Sequence, residues 1–128
     1  MGKLDMALEV RVWLENNAGF HLGPGKVELL RRLHELGSLK QAAESLSMSY
    51  SKAWGRLKKT EETLGKALLA KKGGNKSGYD LTPFAKDLID RYGRWLKDLQ
   101  EYALRTAKRD LPDAIHVLRL TDPEDAKK

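Results

Sequence analysis

The side chains in this sequence that could do chemistry cluster at the start of one predicted helix. The segment from Ser49 to Lys59 reads SYSKAWGRLKK, and much of its hydroxyl and cationic character falls on one helical face. Such groups donate hydrogen bonds to phosphate oxygens and to base edges in the major groove of DNA. The amino end of a helix also favours a phosphate group. The pattern therefore indicates non-covalent binding of a polyanion.

Positive charge is concentrated around this segment. The chain has 128 residues and a formal net charge of +6. Residues 49–76 contain eight lysine or arginine residues against two glutamates, which accounts for the whole excess. A concentrated field of this kind favours a polyanionic partner. The alternative is a solvated cationic face without a partner, and composition alone leaves both open.

Catalytic and metal sites are not expected. The chain has no cysteine, which excludes disulfides and thiolate sites. His21, His34 and His116 are not at metal-ligand spacing, so no metal is expected. No nucleophile stands beside a base, and Glu61 and Glu62 are predicted to be solvated. The sequence therefore predicts neither an enzyme nor a bound cofactor.

Nucleotide and membrane binding are also disfavoured. Gly73 and Gly78 have the spacing of a phosphate-binding P-loop, but Tyr79 stands where that loop requires lysine. The first residues alternate polar and apolar types, unlike a signal peptide, and no segment has the length of a membrane span. We expect a cytoplasmic protein with no membrane partner.

Three predicted helices must position the cationic segment. The first runs from about Pro24 to Leu36 and ends at Gly37, and Ser38 caps the second. A short Ser-Met turn separates the second helix from the third, which is capped by Ser49 and runs to about Leu64. Two helices joined in this way form a helix-turn-helix, here at about residues 38–64, whose second helix inserts into the major groove.

The remaining segments add a small β component. Alternation from Leu8 to Leu14 predicts a half-buried strand, and residues 67–82 predict a hairpin with a basic, glycine-rich tip, the wing of a winged helix. A long helix follows at about residues 82–108. Residues 109–128 are predicted to be a flexible tail, in which AIHVLRL is either a short added strand or part of a disordered end. The predicted fold is mainly α with a small β component, a winged helix-turn-helix domain over residues 1–108 that includes a long C-terminal dimerisation helix.

The exposed polar side chains of the helix-turn-helix and the wing are the predicted DNA contacts. They are Ser38, Gln41, Ser49, Tyr50, Ser51, Lys52, Arg56, Lys59, Lys71, Lys72, Asn75 and Lys76. Trp54 is predicted to be part of the core, whereas Tyr50 either packs at the start of its helix or presents its hydroxyl to a phosphate. Gly55 destabilises a helix interior by up to about 1 kcal/mol relative to alanine. Close approach of DNA, or of another helix, would each account for it.

The long last helix predicts a homodimer. Its apolar side chains recur at alternating steps of four and three residues, the spacing of helices that pack against each other. The predicted dimer interface consists of Leu88, Tyr92, Trp95, Leu99 and Tyr102. The alternative is that this stripe is buried wholly within one protomer.

A family resemblance agrees with this interpretation. LGPGKVELLRRLHELGSLKQAAESLSMSYSKAW and LTPFAKDLIDRYGRW, with the glycine-rich turn between them, resemble the N-terminal DNA-binding domain of ModE-type molybdate-responsive transcription regulators, a winged-helix group related to the LysR type. The resemblance covers about residues 8–107 and is most specific in GSLKQAA and MSYSKAW. It implies a sequence-specific regulator that binds double-stranded DNA as a homodimer.

Three features depart from that family pattern, one of which is the wing segment GGNKSGYD, which is less glycine-rich than the family usually shows. Ser47 stands at a turn position often held by glycine. Full-length members also carry further domains that bind the oxyanion, and a chain of 128 residues has no room for one, so no molybdate-binding domain is expected here.

Two other functions remain open at the level of sequence. The main alternative is a protein–protein interaction module built on a winged helix, in which the basic face is incidental. RNA binding is a further alternative, although the sequence lacks an evident platform of exposed aromatic side chains for stacking unpaired bases.

Overall fold

The computed structural model describes residues 3–73 and 78–121. Its elements in chain order are β1 (Leu4–Leu8), β2 (Leu14–Glu15), β3 (His21–Leu22), α1 (Pro24–Leu36), α2 (Leu39–Ser45), α3 (Tyr50–Leu64), β4 (Leu69–Lys71), β5 (Tyr79–Leu81), α4 (Pro83–Asp110) and β6 (Ile115–Leu120). The predicted fold class is confirmed, since α2 and α3 form the helix-turn-helix, β4 and β5 form the wing, and α4 is the long C-terminal helix.

The chain divides into two compact units. One unit is formed by residues 12–92, and the other by residues 1–11 together with residues 93–128. The division lies within α4, whereas the sequence analysis placed one domain boundary at residue 108. None of the described helices is long and apolar enough to cross a membrane.

The unit of residues 12–92 is built on one apolar core. Its buried side chains come from all three helices of the helix-turn-helix region, from the wing and from the start of α4. They are Leu29, Leu30, Leu33, Leu39, Ala42, Ala43, Ala53, Leu57, Leu68, Leu69, Leu81 and Ala85. The alanines of α2 and α3 are small, so these two helices pack closely.

The turn between α2 and α3 is fixed by its backbone. Ser47 has a φ of 54°, and it is the only non-glycine residue with a positive φ in the described part of the chain. Its N–H donates to the carbonyl of Glu44 at 3.0 Å, and the N–H of Met48 donates to the carbonyl of Ala43 at 2.9 Å. The position that the family resemblance assigns to glycine therefore adopts the left-handed conformation here with a serine.

A side chain of α3 holds the beginning of the wing. β4 and β5 pair antiparallel, with Leu69 opposite Leu81. The Glu61 carboxylate accepts hydrogen bonds from the backbone N–H groups of Leu68 at 2.7 Å and Leu69 at 2.9 Å, and it pairs with Lys58 at 2.8 Å. The prediction that Glu61 is solvated is therefore wrong, because two N–H groups at the start of the wing point at its carboxylate and only 11% of its side chain is exposed.

The prediction of one strand from Leu8 to Leu14 is also wrong. β1 ends at Leu8 and pairs with β6, while β2 begins at Leu14 and pairs antiparallel with β3. Each end of the alternating segment thus has a different partner strand. The alternation of side chains was real, but it could not show which partner each half would find.

Residues 115–120 form a strand where the sequence analysis favoured a flexible tail. β6 pairs in parallel with β1, with Leu4 opposite Ile115 and Met6 opposite Val117. α4 continues to Asp110, so the connection to β6 is short. A pairing between strands at opposite ends of the chain leaves no local signal, and the AIHVLRL pattern therefore left both alternatives open. Residues 122–128 of the predicted tail lie outside the described residues.

Replacing Glu61 with alanine is expected to lower the free energy of unfolding by about 2 kcal/mol, because two N–H groups lose a charged acceptor. Burial would raise the pKa of Glu61, but hydrogen bonds from Lys58, Leu69 and Leu68 outweigh burial and hold the pKa below its ordinary value of 4.5. A pKa that is lower in the folded state gives stability that is present above pH 4.5 and is lost as the pH falls through the folded-state pKa.

Urea denaturation at pH 7 and below pH 4 measures this effect, and Glu62→Ala is the matched control because Glu62 is exposed on the same helix. The stability deficit of Glu61→Ala should shrink at the lower pH. Equal stability of the two variants at pH 7 would show that Glu61 does not hold the wing.

Candidate nucleic-acid interface

The exposed face of α3 carries the predicted recognition residues. Ala53, Leu57 and Thr60 are buried. At about 100° per residue, Gly55 lies opposite this buried line. The polar residues predicted to contact DNA from α3 are all exposed: Ser49, Tyr50, Ser51, Lys52, Arg56 and Lys59. The structure therefore leaves all six of these side chains accessible, spread over the exposed face and both flanks of α3.

Gly55 lies at the centre of this exposed face. A Cβ built at Gly55 would meet no atom within 4 Å. Close packing against another helix, one of the two reasons left open for this glycine, therefore has no support in the described structure. Approach of DNA to the helix backbone stays a prediction.

The two predicted serine contacts are helix caps. Ser38 Oγ accepts from the N–H of Gln41 at 3.2 Å, and Ser49 Oγ accepts from the N–H of Lys52 at 3.1 Å. A hydroxyl that accepts in this way keeps its own hydrogen for donation. Both serines can thus cap a helix and donate to a phosphate, while the side chain of Gln41 is exposed on α2.

Aromatic side chains connect α3 to the wing. The rings of Tyr50 and Trp54 stack with centroids 6.5 Å apart, and Trp54 contacts Tyr79 of β5 with centroids 4.9 Å apart. Lys58 Nζ lies 5.3 Å from the centroid of the Trp54 ring. Trp54 packs partly against the core, as predicted for it. Tyr50 packs its ring on Trp54 but remains 47% exposed.

The cations of the wing differ from one another in their surroundings. Lys71 is exposed on β4. Lys72 Nζ donates a hydrogen bond to the carbonyl of Gly37, at the carboxyl end of α1, where a cation is also favoured by the helix dipole. This contact joins Lys72 to its own domain, and its contact with a phosphate stays a prediction. Asn75 and Lys76 lie outside the described residues.

A second contact joins α1 to the wing. His34 Nδ1 lies 3.3 Å from Asp80 Oδ1 on β5. Burial would raise the pKa of Asp80, but the N–H of Leu81, His34 and the charge of Lys86 outweigh burial and lower that pKa. The end of α1 therefore meets both sides of the wing, through Gly37 and His34.

Sequence reasoning missed one cation beside α3. Lys26 lies in the first turn of α1, and its Nζ donates to the carbonyl of His21 at 2.6 Å. Burial and the charges of Arg56 and Lys59 lower the pKa of Lys26. A lysine in the first turn of a helix has an unfavourable interaction with the helix dipole. This placement was the one feature of the sequence that could have marked Lys26 as a candidate site residue.

The predicted dimer stripe of α4 is only partly exposed. Leu88 packs against the core of residues 12–92, and Tyr92 is 4% exposed with its hydroxyl donating to the carbonyl of Val12 at 2.8 Å. These two residues are needed within their own unit. Trp95 and Tyr102 are exposed, and Leu99 is partly buried. The exposed side chains of the stripe therefore lie in the part after Tyr92.

The family model for bacterial regulatory helix-turn-helix proteins of the lysR family matches residues 25–86. Two curated relatives are both named transcriptional regulator ModE. The relative from Haemophilus influenzae is 30% identical over 97 residues, covering 74% of this chain and 38% of the relative. The relative from Yersinia pestis is 29% identical over 109 residues, covering 82% of this chain and 40% of the relative.

The chain thus spans about two fifths of the length of these relatives. Among solved structures, DarR of Vibrio fischeri in complex with DNA aligns with a TM-score of 0.42 and 17% identity, over 89% of this chain and 46% of that one.

Replacing Gly55 with alanine is expected to raise the free energy of unfolding by about 0.5–1 kcal/mol, because alanine is the better helix former. Thermal or urea denaturation measures the change. Gly65→Ala is the matched control, because Gly65 ends α3 with a φ of 77°, where a side chain is strained, and its variant should be less stable. A destabilised Gly55→Ala variant would contradict the open space at that position.

Proposed function

We propose that this chain, whose residues 25–86 match the family model for bacterial regulatory helix-turn-helix proteins of the lysR family, binds specific sequences of double-stranded DNA as a homodimer and regulates transcription. The observation that carries the proposal is the exposed face of α3, where hydroxyl and cationic side chains surround a glycine with open space above it. The names of the curated relatives, which are transcriptional regulators, support the regulatory part.

In this proposal α3 reads base edges. Lys52 and Arg56 are long cationic side chains on its exposed face, and such side chains donate to O6 and N7 of guanine in the major groove. Gly55, next to them on the exposed face, allows the DNA to approach the helix backbone. The caps Ser38 and Ser49 donate to phosphates at the amino ends of α2 and α3, where the helix dipole also favours a negative charge.

The wing contacts the flanking backbone. Lys71 is exposed on β4, and the wing is held to α3 by Glu61 and by the contact of Trp54 with Tyr79. A contact with phosphate fixes the position of the protein but carries no sequence information of its own. Replacing a cation of α3 should therefore reduce the sequence preference of binding, whereas replacing a cation of the wing should reduce the affinity for every sequence.

Arg56→Ala is expected to reduce the preference for the operator by a factor equivalent to about 1–3 kcal/mol, because a base contact discriminates among sequences. Lys71→Ala is expected to weaken binding to all duplexes alike. It should also reduce the magnitude of the slope of log K against log salt concentration by about 1, because one phosphate contact is lost. Binding isotherms on an operator selected from random duplexes, and on a scrambled duplex, measure both effects at several salt concentrations.

Single-stranded and double-stranded RNA of the same sequence serve as comparison ligands. Equal affinity for RNA and DNA would overturn the proposal of DNA binding, and a protein that binds neither would favour the interaction-module alternative. Loss of sequence preference in Lys71→Ala, with preference kept in Arg56→Ala, would assign sequence reading to the wing instead.

The dimer in this proposal forms through the second half of the α4 stripe. Trp95, Leu99 and Tyr102 follow one another at steps of four and three residues and so share one side of the helix. Tyr102 is 58% exposed, with the Arg105 guanidinium 5.3 Å from its ring centroid. A helix edge of this kind suits packing against the same edge of a second copy.

Tyr102→Asp is expected to shift the protein from dimer to monomer, because a charge would be buried between the two copies. Sedimentation velocity at tens of micromolar protein measures the change, and Lys97→Asp is the control because Lys97 is exposed on another side of α4. A wild-type monomer at this concentration, or an unchanged dimer in Tyr102→Asp, would overturn this part of the proposal.

A further inference from the structure

The two flanks of α3 have different surroundings. Trp54 contacts Tyr79, so this flank faces the wing. Arg56 follows Trp54 by two residues and therefore lies about 200° around the helix from it. Lys59 and Thr63 are three and seven residues after Arg56 and share its flank. The second flank thus lies away from the wing.

The segment from β2 to the start of α1 is anchored on that second flank. Asn16 Nδ2 donates to the carbonyl of Thr63 at 3.1 Å. Asn16 Oδ1 accepts from the N–H groups of Ala18 and Phe20, both at 2.9 Å, which shapes the turn before β3. Lys26 Nζ is in turn held at 2.6 Å from the carbonyl of His21. The Asn16 bond thus attaches this segment to the last turn of α3, and the Lys26 bond attaches the first turn of α1 to the same segment.

Three cations belong to this flank and to the segment attached to it. We call Lys26, Arg56 and Lys59 the flank cations. None of them has a carboxylate partner within residues 3–73 and 78–121, although Lys26 is partly buried. In agreement with the hydrogen bonds that attach this segment to α3, burial and repulsion from the charges of Arg56 and Lys59 lower the pKa of Lys26. Repulsion of this kind opposes folding and is relieved when an anion binds.

The dimensions of DNA place a phosphate at such a flank. A helix with its side chains is about 10–12 Å across, and the major groove is about 12 Å wide. A helix in the groove is therefore bordered by one phosphate backbone on each side. The wing lies on the side of one phosphate backbone, and the flank cations lie on the side of the other.

We propose that Lys26 and Lys59 bind a backbone phosphate on the side of α3 away from the wing, with the charge of Arg56 adding to the field. This inference rests on the proposed DNA binding of the chain and adds a contact from α1, outside the helix-turn-helix and the wing. The protein then holds both edges of the major groove, which centres α3 between them.

Lys26→Gln and Lys59→Gln test the inference in the chain of 128 residues. Each is expected to reduce the magnitude of the slope of log K against log salt concentration by about 1. Each should also lower the affinity for operator and scrambled duplexes alike, by about fivefold to tenfold at 0.1 M salt. The thermal stability of Lys26→Gln should stay the same or rise, because repulsion is removed. Arg31→Gln is the matched control, since Arg31 lies on α1 but pairs with Glu28 at 2.8 Å.

The results separate this inference from the proposed function. A wild-type protein that binds duplex DNA, with the same salt dependence in Lys26→Gln, would overturn the inference alone. A wild-type protein that binds no duplex would overturn both. Saturable binding of inorganic phosphate at millimolar concentration, lost in Lys26→Gln while duplex binding is unchanged, would identify a site for free anions and overturn the assignment to DNA.

Discussion

The packing of α2 against α3 is the constraint on which the interface depends. Ala42, Ala43 and Ala53 are buried, and their small size lets the two helices pack closely at one fixed angle. The left-handed Ser47 between them ends one helix and lets the next begin within a few residues. Because one side of α3 is committed to this contact, its opposite side, centred on Gly55, is the side that a partner can reach.

The other elements orient their side chains around this helix pair. Glu61 binds the first N–H groups of the wing, Trp54 contacts β5, and Lys72 joins the wing to the end of α1. On the opposite flank, Asn16 attaches the turn before β3 to the last turn of α3. α3 is thus supported from both sides, so that contacts made by its flanks have fixed positions relative to its central face.

The sequence predicted the helix-turn-helix well because its signals are local. Ser38, Ser49 and Gly65 are caps whose type determines where a helix starts or stops, and each lies where it was predicted. Spacing within α3 likewise separated buried from exposed residues, since the helical period applies wherever the helix forms. These residues needed no knowledge of the rest of the chain.

The remaining features depended on contacts between distant residues. The pairing of β1 with β6 joins the two ends of the chain, and the contact of Lys72 with Gly37 joins residues 35 positions apart. In the sequence, Glu61 is indistinguishable from an exposed helix carboxylate and Lys26 from an isolated lysine. Only the fold places the N–H of Leu68 at Glu61 and the charges of Arg56 and Lys59 near Lys26. In the α4 stripe, Tyr92 is buried within its own unit for the same reason, because its hydroxyl finds a partner at Val12.

The central claim is that α3 lies in the major groove of DNA. Dimethyl sulfate tests it most directly, because it methylates guanine N7 in the major groove and adenine N3 in the minor groove. On an operator selected by the protein, the account predicts protection of guanine N7 in two half-sites separated by about one helical turn, or a multiple of it. Protection of adenine N3 alone, with every guanine N7 as reactive as in the unbound duplex, would contradict it.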